Sequence, residues 1–252
     1  ALTSISHATA LIAGACLTRT GALARSLPLP TASTAITPFR IAVPQAAIDD
    51  LKLRLRMTRL PERETVGDWS QGVPLAKAQT LLAYWRDRYD WRRFERRINS
   101  FPQYRTEIDG LGIHFLHIRS KHPNALPMVM THGWPGSVVE FLDAIGPLSD
   151  PTSHGGSADD AFHLVIPSMP GFGWSDKPRA YRYSIMDQAD LHEGLLRAEG
   201  VGRFHILAHD YGDTVAQELL ARQIERGRRA GLRLQSLCLL NGGLFPESLR
   251  PT

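Results

Sequence analysis

Residues 204–217 read Phe204-His205-Ile206-Leu207-Ala208-His209-Asp210-Tyr211-Gly212-Asp213-Thr214-Val215-Ala216-Gln217, and the reading of this stretch decides the fold. Phe204 to Ala208 is an apolar run of strand length, and Thr214 to Gln223 has helical spacing. Between them stands Asp210, with Ala208 two residues before it and Gly212 two after. Small residues at those places let a strand and a helix meet at a sharp corner, and the corner exposes the middle side chain. The plainer alternative is that Asp210 only caps the helix that follows.

Working outward, the same pattern of strand and glycine-rich corner recurs. Pro127 to Thr131 ends at His132-Gly133, Phe162 to Pro167 at Pro170-Gly171, and Leu234 to Leu240 at Asn241-Gly242-Gly243. Thr106 to Ile108 and Ile113 to Ile118 flank Asp109-Gly110, a hairpin signal. These runs predict an α/β fold with a mostly parallel sheet and helices on both faces. In such a sheet the ligand crevice lies at the carboxyl ends of the strands, where the unusual residues collect. Ahead of the sheet, Ile48, Leu51, Leu55 and the run Leu75 to Tyr89 have helical spacing, with Pro44 near the first helix start. Pro61, Gly67, Gly72 and Pro74 mark the loop between the helical stretches. Ser149 to Asp160 reads as a surface loop. The expected organisation is a tail over 1–35, a helical region over 36–103 and an α/β core over 104–252.

Composition narrows the class. Hydrophobic residues make up 43% and charged residues 21% of 252, which is ordinary for a globular protein. The net charge of +4 is mild, and the densest basic cluster, Arg92, Arg93, Arg96 and Arg97, reads as a solvated helix face, so nucleic acid is not an expected partner. No apolar run approaches the length of a membrane span. Cys16 and Cys238 are poorly placed for a disulfide, so nothing argues for an oxidising compartment. The tail has no acidic residue and carries Arg19 and Arg25, a composition shared by targeting peptides and by disordered tails. The disordered reading is preferred, with a cytoplasmic location. No metal-ligand spacing, phosphate loop or cofactor motif is present, so neither metal nor cofactor is expected.

The chemistry follows from the corner. A carboxylate at Asp210 can attack an electrophilic sp³ carbon and form an alkyl ester, which water then cleaves. The start of the following helix favours the anion. His132-Gly133-Trp134-Pro135-Gly136 sits directly after a strand, and the backbone N–H groups of Trp134 and Tyr211 are placed to form an oxyanion hole. His132 reads as a buried brace for that loop. Pro170-Gly171-Phe172-Gly173-Trp174-Ser175 reads as a tight turn whose aromatics line or close a pocket.

These motifs carry a resemblance. From about Ile36 to Pro178 the chain resembles epoxide hydrolases with a helical N-terminal extension, the microsomal-like group. The matching pieces include Thr58-Arg59-Leu60-Pro61, Tyr84-Trp85, Asp90-Trp91-Arg92, Ile113-His114-Phe115, His132-Gly133-Trp134-Pro135-Gly136-Ser137 and Pro167-Ser168-Met169-Pro170-Gly171-Phe172-Gly173. From about Tyr183 onward, His209-Asp210-Tyr211-Gly212-Asp213 and Asn241-Gly242-Gly243-Leu244-Phe245-Pro246-Glu247 are more similar to haloalkane-dehalogenase-like and mesoderm-specific-transcript-like hydrolases. The microsomal-like group usually has Gly-Gly-Asp-Trp-Gly at the corner.

The resemblance implies the α/β-hydrolase fold and a small apolar epoxide opened by Asp210, with water as second substrate and no cofactor. It also implies that Glu247, ahead of Arg250-Pro251, is a candidate orienting acid for a catalytic histidine. Family members continue into a helical cap, further strands and that histidine, whereas none of the ten histidines here follows Asp210. The expectation is therefore a fold incomplete at its C-terminus. Three readings stay open: an epoxide hydrolase in truncated form, a non-catalytic relative, and a haloalkane-dehalogenase-like hydrolase. The last is weakened by Tyr211 and Trp134 at places where that branch typically uses Trp and often Asn. Asp210 disfavours a serine esterase. A homo-oligomer is left open.

Overall fold

The computed structural model describes residues 35–227 and 231–243. The readings that fall on residues 1–34, Cys16 among them, and on Glu247 lie outside the described residues. The described elements belong to the compact unit spanning 32–252.

The described residues start with β1 (Thr37–Pro38), then α1 (Gln45–Arg56), α2 (Leu75–Asp87) and α3 (Trp91–Ile98). Pro44 stands just ahead of α1, where its missing N–H costs nothing. Asp90 caps α3 by accepting from the Arg92 N–H at 2.9 Å. The Asn99 side chain pairs with both backbone groups of Ile41, at 3.0 and 2.8 Å, and Glu95 accepts from the Val43 N–H at 2.7 Å. Those bonds lay the segment before α1 along α3. Three of the four arginines of α3 are in ion pairs, Arg92 with Glu95, Arg96 with Asp90 and Arg97 with Asp143.

Six strands follow: β2 (Gln103–Ile108), β3 (Leu111–Ile118), β4 (Leu126–Thr131), β5 (Phe162–Pro167), β6 (Arg203–His209) and β7 (Arg233–Leu240). With β1 they form one sheet in the order β1-β2-β3-β5-β4-β6-β7. The segment β5-β4-β6-β7 is parallel, and β1, β2 and β3 extend it with antiparallel pairs. The hairpin turns at Asp109 (φ 50°) and Gly110 (φ 76°), left-handed values suited to an Asp-Gly turn. β7 is the last strand of this order among the described residues.

Alternation along the strands sorts the core onto two faces. Met128, Met130, Leu164 and Ile166 pack with Ile98, Val138, Phe141 and Ile145 on one side. That side is covered by α3, a short 3-10 turn (Val138–Phe141) and α4 (Ile145–Ser149). Val129, Phe204, Ile206 and Ala208 pack with Ala189, Leu196, Val215 and Leu219 on the other, under α5 (Ile185–Ala198) and α6 (Tyr211–Arg226). The loop expected over Ser149 to Asp160 holds two short 3-10 turns and is largely exposed. No helix among the described residues is long and apolar enough to cross a membrane.

Candidate active site

Asp210 joins β6 to α6 with φ 55° and ψ −119°, a conformation that persists only where the surroundings over-determine it. Its N–H donates to the Leu240 carbonyl at 2.9 Å, and its own carbonyl accepts from the Asp213 N–H at 3.0 Å. A Cβ on Gly212 would stand 2.4 Å from the Thr131 carbonyl oxygen and 2.7 Å from that of His132. The start of α6 is therefore pressed against the end of β4, and only glycine fits. Ala208 is fully buried on the other side of the corner.

The Asp210 carboxylate makes no capping bond to α6. Instead Oδ1 accepts from the Trp134 N–H at 2.7 Å, across 76 residues of sequence. Among the described residues this is the one hydrogen bond to that carboxylate. A Cβ on Gly133 would lie 2.4 Å from the Asp210 Cβ, so the loop after β4 is in contact with the corner. Tyr211 opens α6 directly after Asp210, while the Trp134 ring stands out at 71% exposed.

His132 is fully buried at the end of β4. Its Nε2 accepts from the Met169 N–H at 3.2 Å, which assigns the ring proton to Nδ1, facing the Gly133 carbonyl at 3.2 Å. Burial pushes its pKa down to about 4, so the ring is neutral at pH 7. Phe172 meets it edge-on at 5.1 Å. The loop after β4 and the turn after β5 are thereby joined through one imidazole.

A cleft of about 570 Å³ opens beside the corner. Trp134, Phe172, Tyr183 and Tyr211 give it aromatic walls, with Gln188 and Lys177 as the polar side chains. The Tyr211 hydroxyl donates to the Tyr183 carbonyl at 3.3 Å, and the Tyr183 hydroxyl to that of Pro178 at 2.8 Å. Lys177 is anchored on the Gly173 and Ser175 carbonyls at 2.6 and 2.9 Å, and burial lowers its pKa. The turn over 170–175 thus contributes Pro170, Gly171 and Phe172 to the cleft. Trp174 does not line it. Past Gly173, at φ 49°, the chain reverses, and the Trp174 ring packs against His114 at 5.5 Å and the core under α3 and α4.

Of the residues singled out in the sequence, Asp210, Trp134, Tyr211 and His132 are brought together. Others were missed. Glu140 pairs with His209 at 2.7 Å, a second tie between the loop after β4 and the corner. Asp213 is fully buried, and its Oδ1 accepts from the Leu240 N–H at 3.4 Å. Burial pushes that carboxyl's pKa up. Gln188 and Tyr183 were missed with α5 itself, although Ser184 and Asp187 form a capping box that announces the helix. Among the described residues no cluster of three His, Cys, Asp or Glu side chains is placed to hold a metal.

Comparison with known proteins gives two family matches. Residues 36–141 match the family described as epoxide hydrolase N terminus, and residues 127–244 match the alpha/beta hydrolase fold. A putative epoxide hydrolase of Stigmatella aurantiaca (strain DW4/3-1) is 54% identical over 217 residues, covering 86% of this chain and 48% of that protein. The mesoderm-specific transcript homolog protein of Bos taurus is 54% identical over 127 residues, 49% of this chain and 35% of that protein. Among solved structures, Aspergillus niger epoxide hydrolase matches with a TM-score of 0.67 and 32% identity, over 88% of this chain and 55% of that one. The chain spans about half the length of the curated relatives it matches.

Proposed function

The chain belongs to the α/β-hydrolase superfamily as a relative of the epoxide hydrolases, and from that premise we propose that Asp210 opens an epoxide by nucleophilic attack. The observation that carries this reading is the carboxylate itself. It stands at a helix start without capping the helix, is held through Oδ1 by the Trp134 amide, and has Oδ2 left over. In the first step Oδ2 bonds to an epoxide carbon, the C–O bond breaks, and the ring oxygen takes a proton from solvent water to become a hydroxyl. In the second, water adds to the ester carbonyl and gives up a proton to solvent, the developing oxyanion takes the place of Oδ1, and the bond from the carboxyl carbon to Oδ2 then breaks, releasing the diol and restoring the carboxylate. The Trp134 N–H serves the oxyanion there, joined by the Tyr211 N–H. His132 acts by bracing the loop and stays neutral throughout. Glu247 is proposed as the orienting acid on the resemblance alone.

The substrate class is a small, largely apolar epoxide, in keeping with the aromatic cleft. A panel of electrophiles tests this: styrene oxide, a primary chloroalkane and p-nitrophenyl acetate. The epoxide is expected to react with the protein, and the acetate not to. A preference for the chloroalkane would favour the dehalogenase-like reading, and acetate turnover lost in Asp210→Ala would contradict an alkylating carboxylate.

The Trp134 ring and the Trp134 amide are separable. Trp134→Ala keeps the N–H that reaches Asp210 and removes an exposed ring. Its stability is expected to stay within about 0.5 kcal/mol of wild type. The rate of reaction with styrene oxide is expected to fall, by roughly tenfold, through lost contact with the substrate. A loss of folding seen by circular dichroism would contradict this division.

A further inference from the structure

We propose that a second cleft, at the amino ends of the parallel strands, binds a small molecule carrying a phosphoryl dianion. The cleft measures about 650 Å³, in the size range of small-molecule sites. It lies at the far end of β6 from Asp210, and Arg203 to His209 spans roughly 20 Å at strand rise. It is therefore separate from the corner described above.

Its lining gathers cationic and imidazole side chains. Arg119, Arg203, His117, His163 and His205 face it, with Glu199 as the acid. Glu199 is tied to the Nδ1 of His117 at 2.8 Å, both side chains being buried. The Nδ1 of His163 accepts from the Ser120 N–H at 3.0 Å, so its proton sits on Nε2. The Nδ1 of His205 is bonded to the Ser236 hydroxyl at 2.7 Å. In all three rings the protein thus occupies Nδ1, and among the described residues none of the three Nε2 atoms has a partner. Neither guanidinium has a carboxylate partner among the described residues.

Two permanent positive charges and the Nε2–H of His163 around one cavity suit an anion with several acceptor oxygens. Burial, with the charges of Arg119 and His117 behind it, lowers the pKa of His163. A bound dianion would reverse that, giving a spectroscopic sign of occupancy. Inorganic phosphate and a phosphate monoester share the chemistry, and the size of the cleft favours the monoester.

The test is calorimetric titration of the full chain with inorganic phosphate, AMP and adenosine, followed by NMR of the His163 ring. AMP is expected to bind saturably, adenosine not. Arg119→Ala and Arg203→Ala, both changes at exposed and unpaired side chains, are expected to weaken AMP binding about tenfold each. His163 is expected to titrate at higher pH when AMP is bound. Inorganic phosphate binding as tightly as AMP would assign the site to the free ion, and tighter AMP would assign it to the ester. Absence of saturable binding by either would overturn the proposal. So would equal affinity in the two arginine variants, confirmed as folded by circular dichroism, or loss of binding in Asp210→Ala.

Discussion

Gly212→Ala is expected to destabilise the fold by about 1–3 kcal/mol and to slow alkylation of Asp210 by about a hundredfold. The new methyl would meet two backbone carbonyl oxygens, of Thr131 and His132, at 2.4 and 2.7 Å. Backbone at the end of a central strand cannot swing aside as a side chain can, so α6 must move instead. Moving α6 moves Asp210, whose Oδ1 is held at 2.7 Å from the Trp134 N–H. Displacement of a reacting atom by about 1 Å is enough for a loss of that size. Urea denaturation gives the stability, and mass spectrometry of the styrene oxide adduct against time gives the rate. Gly200→Ala, at a glycine with open space around its Cβ position, is the comparison for a change far from the corner, though its φ of +69° adds some strain. Unchanged alkylation in Gly212→Ala would show that the corner does not position the carboxylate.

Acid is expected to unfold this protein well above the carboxylate range. His114 and His132 are buried, and burial holds both near a pKa of about 4 against an ordinary 6.5. His192, also buried, is lowered for the same reason. His114 has both ring nitrogens engaged, by the Ser168 hydroxyl at 2.9 Å and the Gln103 side-chain amide oxygen Oε1 at 3.0 Å. Between pH 6.5 and 4 the unfolded chain binds protons at these sites and the folded one does not. Their stabilising contribution is therefore complete above pH 6.5 and is lost as pH falls toward 4. For the first two the loss is on the order of 3 kcal/mol each, comparable together to the whole stability of a typical domain. The lowered carboxylates, Asp150 and Asp187 among them, act further down the scale. Urea midpoints measured from pH 7.5 to 4.5 should fall steadily across the histidine window. A flat profile to pH 5 would contradict the neutral, buried state of these rings.

The strands were legible because each pairs an apolar run with a breaking corner. Phe162–Pro167 has the bounds the sequence suggested, and the other parallel strands differ by a residue at one or both ends. Two-residue β1 was not legible, since Thr37-Pro38 is too short to show a period. Helix α5 was hidden because its buried face mixes Leu191, Leu195 and Leu196 with Gln188, His192 and Glu193. A buried polar residue that finds its partner in the fold looks, in sequence, like a solvated one. His192 does so through the Gln188 carbonyl and the Thr131 hydroxyl, at 2.7 and 3.1 Å. At the site, the elbow spacing pointed to Asp210 and to the Trp134 amide. It could not show Glu140 against His209, which are 69 residues apart in sequence. Nor could it show that Trp174 turns inward while Phe172 faces the cleft, since that depends on the reversal at Gly173.

The central claim is that Asp210 is an alkylating nucleophile, and intact-protein mass spectrometry after incubation with styrene oxide tests it most directly. The account predicts one covalent adduct on the wild type, mapped to the peptide that contains Asp210, and none on Asp210→Ala. An adduct of equal yield on Asp210→Ala, or no adduct and no diol from the folded wild type, would contradict it.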